Sequence, residues 1–173
     1  MDNSFLAYLQ RLELIGFFSG YPLIYTIALF IAGNQRLKNT FISRIAPLLP
    51  FSYALVGTLF LGFELKKLYP DYSVEHIKQA IEHPYLVIWG LLAILFWISA
   101  LSKKIFFSLL HSLVFFFLIV SDIFMQLNSS ADSDIVRNDM KVYTSSLFLN
   151  LCTLAFLVLI SFLFRLSKKR LDV

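Results

Sequence analysis

A chain of 173 residues is enough for one compact bundle and too short for two ordinary domains. Its apolar fraction is 58%, above the roughly 45–50% of a soluble domain, and its charged fraction is 15% against about 25%. Together with a mean hydropathy of +0.75, these values exclude an ordinary water-soluble fold. The formal charge is +4, and the positions of the charges say more than their sum.

Crossing a bilayer takes roughly 20 mostly apolar residues per helix. Five segments approach that standard: residues 14–32, 45–65, 85–101, 105–127 and 142–164. The expected fold is therefore all-α, an integral membrane bundle of five transmembrane helices forming a single domain. The chain starts Met1-Asp2-Asn3, with Arg11 balanced by Glu13, which is unlike a basic leader with a cleavage site. The first span is thus expected to be retained. Within it Gly16 and Gly20 form a GxxxG pair suited to close helix packing, and Pro22 predicts a kink in the outer third. Pro47 and Pro50 fall where the second span begins, in a first turn that tolerates proline. Gly57 and Gly62 offer a further close-packed patch.

Beyond the second span, residues 69–73 read as a turn, followed by a short interfacial helix over about 73–83. Ser73 is its expected N-cap, Glu75 lies in its first turn and Pro84 stops it. Ser102, Lys103 and Lys104 alone separate the third span from the fourth. Two lysines inside the hydrocarbon would be costly, so a tight hairpin turn is expected there. Residues 128–141 are polar and acidic and read as a loop.

Lys and Arg number nine on one set of connections (Arg36, Lys38, Arg44, Lys103, Lys104, Arg165, Lys168, Lys169, Arg170) and six on the other. The positive-inside rule then places the N-terminus outside and the C-terminus in the cytoplasm. Abundant Phe, Ile, Leu, Lys and Asn point to an AT-rich bacterial source. The expected location is the cell's inner (plasma) membrane, in multi-pass form.

Chemistry-bearing residues are few. Asp122 is a carboxylate inside the fourth span, where an acid is expensive and by default a functional candidate. Helical spacing puts His111, Asp122 and Gln126 on one face, and Ser146, Asn150, Thr153 and Ser161 on one face of the fifth span. This polar intramembrane stripe (His111, Asp122, Gln126, Ser146, Asn150) suits either interhelical hydrogen bonds or a proton or ion track. Asp122 is expected to face inward and to reach Ser146 or Asn150. His111 has no second histidine at its depth to share a haem, and His76 and His83 lack a third strong metal ligand. No phosphate loop, dinucleotide fingerprint or catalytic set is present, and Cys152 lies in an apolar run with no second cysteine to pair with. No cofactor, metal or nucleic acid is expected as a partner. The expected function is a non-enzymatic accessory or scaffold subunit of a larger inner-membrane complex, with the lipid bilayer and other membrane subunits as partners. The alternative is a small oligomeric channel or proton-coupled carrier using Asp122.

Overall fold

The computed structural model describes residues 3–33, 45–70, 72–81, 83–128 and 133–171, excluding the side chains of 3–10, 31–33, 78–80, 126, 133–137, 166 and 168–171. Every regular element among them is helical. In chain order these are α1 (Asn3–Phe18), α2 (Tyr21–Gly33), a 3₁₀ turn (Ala46–Leu48) opening α3 (Leu49–Leu68), and α4 (Val74–Ala80). Then come α5 (Pro84–Leu91), which runs through a 3₁₀ segment (Leu92–Trp97) to α6 (Ser99–Ser102), α7 (Ile105–Asn128) and α8 (Ser133–Leu171).

Four stretches are long and apolar enough to cross a membrane: Arg11–Phe30, Ala46–Leu68, Ile105–Met125 and Asn138–Arg165. The protein is a multi-pass membrane protein. A helix suits hydrocarbon because it satisfies every backbone polar group within one segment. The third expected crossing is not among the four. Its apolar helix, Pro84–Trp97, is shorter and changes winding at Leu92.

The first crossing is broken. Pro22 has no N–H to give the Phe18 carbonyl, and its ring crowds that carbonyl, so α1 ends at Phe18 and α2 begins at Tyr21. The intervening Ser19 and Gly20 sit at the middle of Arg11–Phe30 rather than in its outer third. Pro47 and Pro50 lie at the start of α3, as their tolerance of a first turn requires.

The 3₁₀ segment fits its surroundings by period. Three residues per turn put Ala93 and Phe96 on one buried face and Leu92 and Leu95 on the exposed one. A Cβ on Gly57 of α3 would lie 2.9 Å from Ala93 Cβ and 3.0 Å from Ile94 N, so only glycine admits this approach. Gly62 does not share the patch, since nothing lies within 4 Å of its Cβ position. The segment runs antiparallel to α3. Trp97 lies against Phe51 with ring centroids 6.0 Å apart, Ala93 against Gly57, and Gly90 beside Phe60. Trp97 Nε1 also donates to Thr58 Oγ1 at 3.0 Å.

Phe18 is at the centre of the core. Its ring stacks on Phe115 at 4.8 Å and meets Phe60 and Tyr53 edge-on at 5.4 and 5.7 Å. Leu14, Tyr21, Val56, Val87 and Phe96 close around it. Such aromatic pairs add about 0.5–1.5 kcal/mol each beyond simple burial.

Three sequence expectations change. Helix α4 is capped by Ser73, whose Oγ accepts the His76 N–H at 3.2 Å, but it ends at Ala80. Pro84 is not its stop; it is the first residue of α5, a place where its missing N–H costs nothing. The stretch 128–141 is not all loop, because Ser133 onward is already α8. Adding turns to a formed helix is far easier than nucleating one, which lets polar residues extend it. At 39 residues α8 is roughly 58 Å long, about twice the hydrocarbon thickness. Between α6 and α7 the chain turns at Lys103 and Lys104, so no continuous helix joins Leu101 to Ile105.

Candidate functional site

The helix break and the polar stripe of α8 form one site. Opening α1 at Ser19–Gly20 frees a backbone donor and a backbone acceptor in mid-membrane, where each must find a partner. Ser146 Oγ accepts the Gly20 N–H at 2.9 Å. One turn further along α8, Asn150 Nδ2 donates to the Phe17 carbonyl at 2.8 Å and to the Ser146 carbonyl at 2.9 Å. Both α8 side chains are fully buried. The Ser19 hydroxyl turns back to the Ile15 carbonyl at 2.6 Å.

Backbone proximity makes this possible. A Cβ on Gly20 would lie 2.5 Å from Leu147 N, 2.6 Å from Ser146 C and 2.7 Å from Leu147 Cα. Gly16, its GxxxG partner, faces the same helix with room to spare, 3.7 Å from Val142 Cγ1. Gly20 therefore sets the α1–α8 separation, and Gly16 follows it. Among the described residues, Asn150 Oδ1 is buried without a hydrogen-bond partner.

At the other end of α1 the bundle collects its charges. Arg11 pairs with Asp122 of α7 at 2.6 Å. Lys67 of α3 bridges Glu13 at 2.7 Å and Glu64 at 3.0 Å. Asp139 of α8 is almost fully buried close enough for its charge to act on Asp122. Ion pairs thus tie α1, α3 and α7 at one level, and Asp139 of α8 lies beside them. The Arg11 side chain is 31% exposed, so the pair lies between the weak surface case and the costly buried one.

Asp122 faces the interior, but its partner is neither Ser146 nor Asn150. Helices α7 and α8 are antiparallel, which brings Asp122 level with Asp139, and Ser146 lies seven residues, roughly 10 Å, deeper. In the sequence Arg11 stands as a flanking charge balanced by Glu13. Its place at the edge of an apolar segment, facing an acid at the edge of another, was the available signal. The Gln126 side chain lies outside the described residues.

His111 belongs to a third group, toward the opposite end of α7. The Trp89 carbonyl can only accept, so His111 Nε2 donates to it at 2.9 Å and leaves Nδ1 to accept the Tyr53 hydroxyl at 2.7 Å. The Trp89 ring lies flat on the imidazole, with centroids 4.8 Å apart and 6° between planes. Ser108 spends its proton on the Ile105 carbonyl, so Tyr21 donates to Ser108 Oγ at 2.9 Å. Composition alone did not single out Tyr53 or Trp89.

No family model, curated protein or solved structure matches the chain. The chemistry must be read from the side chains alone. Among the described residues no three or more His, Cys, Asp or Glu gather as metal ligands. The interior hydroxyls of Ser19, Ser52, Ser108, Ser112 and Thr153 all donate to carbonyls of their own helices. These five hydroxyl protons are thus committed to backbone carbonyls three or four residues earlier in the chain. Cys152 lies exposed on α8.

Proposed function

We propose that the protein is a non-enzymatic accessory or scaffold subunit of a larger complex in the cell's inner membrane, crossing it five times. The observation that carries this reading is the use made of the intramembrane polar groups. Ser146, Asn150, His111, Tyr53 and the Arg11–Asp122 pair all spend hydrogen bonds or charge on a neighbouring helix. Bonds of this kind are worth on the order of 0.6 kcal/mol each in a membrane and specify packing. A broad apolar surface faces outward, including Phe117, Phe124, Phe148, Phe156, Phe162 and Phe164, and it can seat lipid or partner helices.

The fifth crossing is supported by length and neighbours. Eight α-helical and six 3₁₀ residues over Pro84–Trp97 extend about 24 Å. They follow α3 from Phe60 to Phe51, and five crossings agree with a cytoplasmic basic tail. The test is purification of the native protein in mild detergent with identification of the chains that come with it. A stoichiometric complex with other membrane proteins is expected; a particle made only of this chain refutes the scaffold reading.

A second reading keeps one specific observation. A helix broken at mid-membrane beside a buried, unpartnered acceptor (Asn150 Oδ1) is how many carriers build an ion site. A small oligomeric channel or proton-coupled carrier that also uses Asp122 is the alternative.

A further inference from the structure

Helix α8 has two opposed faces. Asp139, Ser146, Asn150 and Thr153 make the packed one. Opposite them α8 carries a shallow, open groove of about 810 Å³, lined by Met140, Lys141, Thr144, Ser145, Phe148 and Cys152 together with Leu149, all on this one helix. At 100° per residue Lys141, Ser145, Phe148 and Cys152 fall within one narrow stripe.

We propose that this groove is a binding site for an anionic phospholipid, with the phosphate on Lys141 and one acyl chain lying along α8 as far as Cys152. Three observations choose lipid as the occupant. The first is level: Lys141 is two residues from Asp139, within the charged layer of Arg11, Lys67, Glu13, Glu64 and Asp122 that marks one membrane border. The second is length. From Met140 to Cys152 the groove extends roughly 18 Å, close to the ~15 Å depth of a single leaflet, and it ends near the middle of the Asn138–Arg165 crossing. The third is charge. Arg11 and Lys67 are committed to carboxylates, whereas Lys141 is exposed and joins no ion pair among the described residues. Asp139, the nearest acid on its helix, points to the opposite face. A cation at the headgroup level above an apolar channel one leaflet deep matches a phosphate with its chain. A partner helix would need no cation at that position.

The test uses the full chain in nanodiscs of equal phosphatidylcholine and phosphatidylglycerol, with retained lipids counted by native mass spectrometry. One phosphatidylglycerol per chain is expected to be kept in preference to phosphatidylcholine. Lys141→Glu should cut that preference about fivefold or more, while Lys66→Glu, an exposed cation at the same end, should leave it unchanged. Ser145→Phe fills the groove without touching the charge and should abolish retention. Helical circular dichroism and a single gel-filtration peak establish that each variant is folded. Equal retention of both lipids, or a preference that survives Lys141→Glu or Ser145→Phe, overturns the proposal. So does cross-linking of the sole cysteine, Cys152, to a protein neighbour with the same yield in the presence and absence of phosphatidylglycerol.

Discussion

Replacing Gly20 with alanine should separate the two glycines of the GxxxG pair sharply. The new Cβ would lie 2.5–2.7 Å from three backbone atoms of α8, whereas comfortable contact is about 3.5–4.0 Å. Backbone atoms cannot rotate away, so α1 and α8 must part by roughly 1 Å. Overpacking of this kind costs about 1–3 kcal/mol. The same movement stretches the 2.9 Å bond from Gly20 N–H to Ser146 Oγ, worth on the order of 0.6 kcal/mol. The expected loss is about 1.6–3.6 kcal/mol. Gly16→Ala, at 3.7 Å from its nearest neighbour, adds no clash and removes a helix-interior glycine, so it should be neutral or stabilising by up to ~1 kcal/mol. Gly62→Ala, facing open space, should behave like Gly16→Ala. Denaturant titration in detergent, followed by far-ultraviolet circular dichroism, reads all three. If Gly20→Ala falls within about 0.5 kcal/mol of Gly16→Ala, the close approach of α1 to α8 is wrong.

Three further outcomes follow from the other contacts. Asp122→Leu strands Arg11 and should destabilise the bundle more than Asp122→Asn, and the double variant Arg11→Leu/Asp122→Leu should recover part of the loss in the same titration; no recovery would show that the pair is not coupled. His111→Phe keeps the ring on Trp89 but leaves the Tyr53 hydroxyl and the Trp89 carbonyl without this partner, at a cost of about 1–3 kcal/mol, whereas an unchanged midpoint would contradict the hydrogen bonds. Single cysteines in a Cys152→Ala background should label from one side of the membrane at Gln79 and Ser133 and from the other at Asn39 and Lys169; accessibility of all four from one side would rule out five crossings.

The sequence made the helical membrane bundle legible because apolar length is a strong and local signal. Ser73 as a cap and the turn at Lys103–Lys104 were equally local. The break in the first crossing announced itself through Pro22, but its depth depended on where Gly20 meets Leu147, which no periodicity reveals. Helical spacing groups the polar residues of α7 and α8, but it carries no sign that Asp122 meets Arg11, that His111 meets Tyr53 and Trp89, or that Ser146 and Asn150 meet the break after α1. Asp122 and Arg11 are 111 positions apart, and which helices are neighbours at which level is decided by packing of the whole bundle. The 3₁₀ winding at Leu92–Trp97 was hidden for the same reason, since it answers to Gly57 on another helix. Residues 133–141 misled by composition: polar residues continue α8 because the apolar turns after them have already formed the helix.

In the proposed scaffold role the intramembrane polar groups fasten helices and do not carry ions. Proton and sodium flux into sealed proteoliposomes, measured with a trapped pH dye and a sodium-sensitive dye, tests that most directly. Vesicles containing the protein should leak no faster than protein-free vesicles at either pH 6 or pH 8. A protein-dependent flux that Asp122→Asn or Asn150→Leu abolishes, with helical content and assembly unchanged, would contradict it.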